Sequence, residues 1–213
     1  MIVGFLYPRF RHFYRRFRKR EFRLLDVGCG IHSPTKAKRV FPHVIYHGID
    51  RKEYNRLDDA DFARMDRFHE LDLETDSLDS IPDDFYEVVI LSHVIEHLRN
   101  GPEVIRGMTR KLKKGGYIYI EYPSVRSVGL PSMAGTLQFC DAPTHVRLYD
   151  LKEVSNILLE NECRVLRGGT RRDLLRILFF PLFLVRGLLT GRPASAFWDL
   201  LGFAEYVLAR KNG

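Results

Sequence analysis

The sequence is poor in cysteine. Its three, Cys29, Cys140 and Cys163, are odd in number, widely spaced and never arranged as C-x-x-C. That excludes a disulfide framework and suits free thiols in a reducing compartment. A long apolar run is also missing: the nearest candidate, Leu174 to Thr190, is interrupted by Arg176, Pro181 and Arg186. A spanning helix needs roughly 20 predominantly apolar residues. No secretory signal is expected, because Met1 to Tyr7 is short and positive charge follows it instead of preceding it. A cytoplasmic protein, with a membrane surface as the alternative place to be held, is the resulting expectation. With 213 residues, 45% hydrophobic and 29% charged, the chain is neither disordered nor collagenous and suffices for one ordinary domain.

The formal net charge of +7 is unevenly spread. Residues 1–23 hold eight Lys/Arg and one acid, which leaves 26 bases and 26 acids in the other 190 residues. The charge therefore belongs to an arm, and residues 24–213 form a domain neutral in sum. Within the arm Phe10, Phe13, Tyr14 and Phe17 recur at i, i+3, i+4 and i+7, with Arg11, Arg15, Arg18 and Lys19 largely between them. This is the pattern of an amphipathic helix with an aromatic and a cationic face. Such a helix suits an anionic membrane surface or an acidic partner, and equally well an aromatic stripe packed on its own domain.

Beyond the arm, Phe22 to Val27, Val44 to Ile49, Phe68 to Leu73, Tyr86 to Ser92 and Tyr117 to Tyr122 are short runs of aliphatic and aromatic residues. A helix carrying Val104, Ile105, Met108 and Leu112 on one face is expected to end at Gly115-Gly116. A later one is expected to start at Asp150 in a capping box with Glu153. Strands alternating with helices predict a parallel sheet covered on both faces. Cys163 to Leu166 and Phe203 to Ala209 read as two closing strands. Between them, residues 171–203 form an apolar insertion whose first part, Arg171 to Arg192, has five arginines and one acid. It reads as a lid over a greasy site, a membrane-facing patch or a pair of core helices.

The chemistry concentrates at strand ends. Leu24 to Val27 runs into Gly28-Cys29-Gly30, a tight turn where the missing Cβ atoms let the backbone approach a ligand. Asp26 just before it can meet a cationic ligand group. A dinucleotide site would place an apolar residue there and a third glycine where Ser33 stands. Asp50 closes the second run, where a carboxylate can accept from both ribose hydroxyls. Asp72-Leu73 ends the third, where an acid beside an adenine can accept from its amine.

Leu25 to Gly30, Gly48-Ile49-Asp50, Asp72-Leu73 and Val89 to Leu98 together resemble the class I S-adenosylmethionine-dependent methyltransferases, in particular the group of ubiquinone-type and other small-molecule enzymes. The resemblance runs from Leu24 to Tyr122 and more loosely to residue 170. It implies a Rossmann-like, doubly wound, mostly parallel seven-stranded sheet in a single domain, with S-adenosylmethionine as cofactor. It also implies that Asp26, Gly28, Cys29 and Gly30 lie at the methionine end, Asp50 at the ribose, Asp72 and Leu73 at the adenine, and Ser92 with His93 beside the sulfonium. His145, after the fifth strand, stands where related enzymes present a substrate-facing histidine, and its imidazole suits a base for an acceptor hydroxyl. The expected reaction is methylation of a small-molecule or lipid-like acceptor, at oxygen ahead of nitrogen or carbon.

His93-Val94-Ile95-Glu96-His97 also spells H-x-x-E-H, a zinc-peptidase pattern. It begins at a strand end, not inside a helix, and one acid at Glu96 is too few, so no metal is assigned. Two other classes remain as alternatives. A nucleic-acid methyltransferase would use the arm on phosphates, but the fourth strand lacks the Asn/Asp-Pro-Pro-aromatic signature and no Pro-Cys pair is present. A non-catalytic S-adenosylmethionine-binding module would keep the fold without turnover.

Overall fold

The computed structural model describes residues 7–30, 32–51 and 58–213; residues 1–6 of the arm and Ile31 of the loop after Gly30 lie outside them. Seven strands, β1 (Phe22–Val27), β2 (Val44–Asp50), β3 (Arg67–Glu70), β4 (Tyr86–Ser92), β5 (Leu112–Pro123), β6 (Cys163–Thr170) and β7 (Ala204–Lys211), form one sheet in the order β3-β2-β1-β4-β5-β7-β6. The first five are parallel, and β7 runs antiparallel to both β5 and β6. The order reverses direction between β1 and β4, which opens a crevice at the carboxyl ends of those strands.

Alternation along each strand sorts the side chains onto two faces. Leu25, Val27, Val89, Leu91, Ile118 and Ile120 pack under α4 (Gly101–Lys111) and α5 (Leu151–Glu160). Leu24, Val88, Ile90 and Tyr119 pack under α1 (Pro8–Phe17) and α2 (Ser33–Val40). The aromatic stripe of the arm is thus core: Phe10, Phe13 and Phe17 are at most 2% exposed. Phe17 meets Phe22 at 4.4 Å between ring centroids, and Phe10 meets Phe41 at 5.8 Å. Three buried phenylalanines at about 1.5–3 kcal/mol each are comparable with the whole net stability of a domain, so α1 is integral to the fold. Its cations Arg15, Arg16, Arg18 and Lys19 face outward.

Three expectations are corrected. The helix α4 stops at Lys111, ahead of Gly115-Gly116, because buried Leu112 already pairs with Tyr86; the register then shifts so that Val88 meets Tyr117, and the glycines sit in the irregularity. The strand β3 ends at Glu70, which leaves Asp72-Leu73 in the following loop. Asp150 does cap α5, accepting from the Glu153 N–H at 2.7 Å, but the Glu153 carboxylate pairs with Arg147 instead of returning to the cap.

Between β6 and β7 the chain forms α6 (Leu174–Leu178), α7 (Phe180–Leu189) and α8 (Ala194–Leu201). The first two leave much of their apolar surface open: Leu174, Leu178, Leu182, Val185, Leu188 and Leu189 are all exposed, the last to 83%. A four-residue α3 (Asp59–Phe62) completes the set of α-helices among the described residues, and three short 3₁₀ turns, Ile95–His97, Val125–Gly129 and Phe139–Asp141, lie in the loops. None of these helices is long and apolar enough to cross a membrane.

Candidate active site

Two cavities lie at the carboxyl ends of the central strands and share Gly28 and His93 in their walls. The first, about 270 Å³, is bounded by Asp50, Arg51, Asp72, Leu73, His97 and Thr144 among others. The second, about 700 Å³, adds Cys29, Ser92, Glu121 and a set of cations and apolar side chains described below.

The turn after β1 is built to come close. Gly28 has φ +63°, and a Cβ there would stand 2.6 Å from Val94 Cγ2; any side chain would be both strained and crowded. The Gly30 N–H donates to Asp50 Oδ2 at 2.9 Å, and the Arg51 N–H donates to Asp50 Oδ1 at 2.8 Å. Asp50 is thereby fixed at the mouth of β2. The Asp72 carboxylate accepts from the Glu74 N–H at 2.9 Å and pairs with Arg51 at 3.2 Å. These bonds, the Glu74 N–H first, hold it below the usual carboxylate range.

Asp26 behaves differently from the expectation. It is fully buried and lines neither cavity. Its Oδ2 accepts from the Ser33 hydroxyl and from the Tyr46 hydroxyl at 2.7 Å, with the Arg9 guanidinium 3.8 Å away. Burial raises its pKa against the pull of Arg9, Ser33 and Tyr46. Asp26 therefore braces the turn from behind and ties it to α1 and α2. Ser33, standing where a third glycine would be, is the hydroxyl that makes this brace possible. Pro34 stands in the first turn of α2, while His32 is held in the loop through its backbone N–H to Asp61 at 2.8 Å.

His93 sits between the cavities with φ 58°. Its Nδ1 bonds Glu96 at 3.1 Å and its Nε2 bonds Glu121 at 3.0 Å. Burial opposes its charge, but the bonds to Glu121 and Glu96 prevail and push the pKa up to about 9. At neutral pH the ring is an imidazolium, stacked near Phe203 and tilted against Trp198 at 5.1 Å. Glu121 lies well below the usual carboxylate range, because Arg171 and His93 overcome its burial. The network continues from Arg171 to Asp199 at 3.1 Å and from Asp199 to Arg176 at 3.1 Å. Sequence reading missed Arg9, Glu121, Arg171 and Asp199; an acid inside the apolar run Tyr117 to Tyr122 is the one local signal for them.

His145 lines neither cavity. Its Nδ1 donates to the Phe139 carbonyl at 2.7 Å, and its ring lies 4.8 Å from that of His97. Burial lowers its pKa. It stands next to Thr144 and against His97, two residues that line the first cavity.

A doubly wound sheet with a glycine turn after β1, a carboxylate at the end of β2 and a cavity between β1 and β4 is an arrangement that holds a nucleoside-containing cofactor. A family model described as a methyltransferase domain matches residues 4–167, and the chain belongs to that family. No curated protein matches the chain. Among solved structures, the S-adenosylmethionine-dependent methyltransferase from Mesorhizobium loti is 14% identical with a TM-score of 0.63, covering 96% of this chain and 98% of its own. A Haemonchus contortus phosphoethanolamine N-methyltransferase, in complex with phosphomonomethylethanolamine and S-adenosylhomocysteine, is 19% identical with a TM-score of 0.60, over 95% of this chain and 52% of its own. The [4+2]-cyclase SpnF is 20% identical with a TM-score of 0.55, over 90% and 76%. At these identities the likeness is one of fold, and the cyclase shows that the fold alone does not dictate the reaction.

The residues present fit the cofactor. The missing Cβ at Gly28 lets Val94 close in beside it, so that both line the first cavity; the anchored Asp50 carboxylate can accept from a ribose, and Leu73 offers an apolar wall for a base. S-adenosylmethionine supplies a methyl group already activated by its sulfonium, so the protein's task is alignment and exclusion of water.

Proposed function

We propose that this enzyme methylates an oxygen of an acceptor that has an anionic head and an apolar tail and is met at a membrane surface. In this reading Asp50 holds the ribose, Asp72 and Leu73 border the adenine, and Gly28, Cys29 and Gly30 border the methionine end. Ser92 and His93 then flank the sulfonium. The observation that carries the acceptor class is the lining of the second cavity. Arg9, Lys36, Arg171, Arg176 and Arg186 stand there with Leu175, Phe179, Phe183 and Trp198, and Glu121 is the one acid among the lining residues. A cationic, greasy cavity favours an anion with hydrocarbon attached. Cations around the reacting atom also stabilise an oxygen that carries or develops negative charge, which favours oxygen as the acceptor atom.

Leu175 of α6 lines this cavity, the other exposed leucines of α6 and α7 follow it in the chain, and exposed Arg172, Arg186 and Arg192 are interspersed among or flank them in sequence. Apolar and cationic surface together suit an anionic interface. Liposome flotation with and without anionic lipid, followed by transfer of labelled methyl into a lipid extract, tests the reading. Co-flotation with anionic vesicles and label in an acidic lipid fraction are expected. Equal recovery in the soluble fraction under both conditions, or label found in RNA instead, would overturn it. Asp50→Ala is expected to abolish transfer by loss of cofactor binding.

A further inference from the structure

In the second cavity the positive charge exceeds what the protein itself answers. Asp26 lies 3.8 Å from Arg9, Glu121 3.5 Å from Arg171 and Asp199 3.1 Å from Arg176. Nearby, Arg11 meets Asp173 at 3.6 Å and Glu96 meets the His93 imidazolium at 3.1 Å. Two cations are left over. Lys36 of α2 and Arg186 of α7 line the same cavity, and among the described residues neither side chain makes a hydrogen bond or an ion pair.

Lys36 is held in place by the brace behind the glycine turn. Ser33, one helical turn before it on α2, is tied to Arg9 and to Asp26. Burial, and then Arg9, lowers the Lys36 pKa against the attraction of Asp61 and Asp26. An ammonium so placed costs free energy until an anion meets it. Beside these cations Leu175, Phe179 and Phe183 recur every four residues along α6 and α7 in the lining of the same cavity, with the Arg176 guanidinium 5.0 Å from the Phe183 ring. Anion recognition and a hydrocarbon track therefore adjoin.

Resting on the acceptor reading above, we propose that the anionic head is a phosphate monoester met by Lys36 and Arg186, with Arg9 and Arg176 beside them, and that its hydrocarbon lies along Leu175, Phe179 and Phe183. A carboxylate or an alkyl sulfate brings a single negative charge, whereas a phosphate monoester carries about −1.5 to −2 at pH 7. Two unanswered cations match the second and not the first. Its three acceptor oxygens also suit donors arriving from separate helices, since Arg9 stands on α1, Lys36 on α2 and Arg176 on α6.

Trp198 is the one tryptophan of the chain and lines this cavity, so its fluorescence reports occupancy. Octyl phosphate, octyl sulfate, octanoate, octyltrimethylammonium and inorganic phosphate are titrated, below micelle-forming concentrations, into full-length protein with S-adenosylhomocysteine present. Saturable binding of octyl phosphate is expected, about tenfold or more tighter than octyl sulfate, octanoate or inorganic phosphate. Lys36→Met is expected to weaken it by about tenfold or more and Arg186→Gln by about threefold. Lys36→Arg should restore part of the affinity, and Lys152→Met, at an exposed position on α5, should leave it unchanged. Retained binding of S-adenosylhomocysteine shows that the Lys36→Met variant is folded. Three results would overturn the proposal while flotation and lipid labelling keep the acceptor reading standing: octyl phosphate bound no tighter than octyl sulfate, inorganic phosphate bound as tightly as octyl phosphate, or an affinity untouched by Lys36→Met. A preference for octyltrimethylammonium would overturn both.

Discussion

Two segments of this chain mix arginines with large apolar residues, and the fold treats them in opposite ways. In α1 the phenylalanines fall on one stripe and are all buried, while the arginines divide between solvent and the site. In α6 and α7 leucines occur on every side, and most remain exposed. A narrow stripe can be satisfied by one sheet face; an apolar surface that goes all round needs a second partner. Composition is thus the same signal in both places, and its angular spread is what separates packing from presentation.

The largest effect that bears on this contrast is expected for Phe13→Ala. It should cost about 3–5 kcal/mol of unfolding free energy in a denaturant titration, and a loss below about 1 kcal/mol would show that α1 is not core. Next comes the charge of His93, which lies against Trp198 of α8. Its folded pKa of about 9 stands above the ordinary 6.5. The stability it confers is therefore fully present below pH 6.5 and is lost as pH rises through 9, by ~3 kcal/mol. Unfolding measured from pH 6 to 10, with His93→Gln flattening this part of the profile, checks the assignment. Arg9→Met should cost about 1–3 kcal/mol, since it strips the Ser33–Asp26 pair of its charged donor; an unchanged midpoint would separate α1 from the turn. The smallest is expected for Leu182→Ser, within about 0.5 kcal/mol of wild type yet with weakened vesicle binding. If it destabilises as much as Phe13→Ala, the two segments are alike after all.

Much of the fold was legible because each of five strands is an apolar run bounded by turn residues, and β1 and β4 have the bounds that hydrophobicity alone suggests. The helix stop at Gly115-Gly116 was misplaced because glycine marks both a helix end and a strand irregularity, and only the pairing of Leu112 with Tyr86 decides between them. At the site, Gly28, Asp50 and Asp72 announce themselves by standing at strand ends. Asp26 was legible as important but not as a brace, because its partners Arg9, Ser33 and Tyr46 come from three other elements. The same holds for Arg171 and Asp199, which are ordinary residues until β6, α8 and β5 are brought together around Glu121.

The antiparallel pairing of β6 with β7 sets Thr170 beside Glu205. Everything from Arg171 to Phe203 therefore leaves and re-enters the sheet through neighbouring positions, like the contents of an enlarged hairpin. The entropy of closing such an excursion rises only slowly with its length. The outer part of the segment, α7, can be lengthened or shortened without redrawing the five parallel strands, whereas Arg171, Trp198 and Asp199 at its two ends are tied to Glu121 and His93 at the crevice. Under the acceptor proposed above, exchanging α7 between relatives is expected to change which acceptor is methylated while the parallel part of the sheet stays as it is.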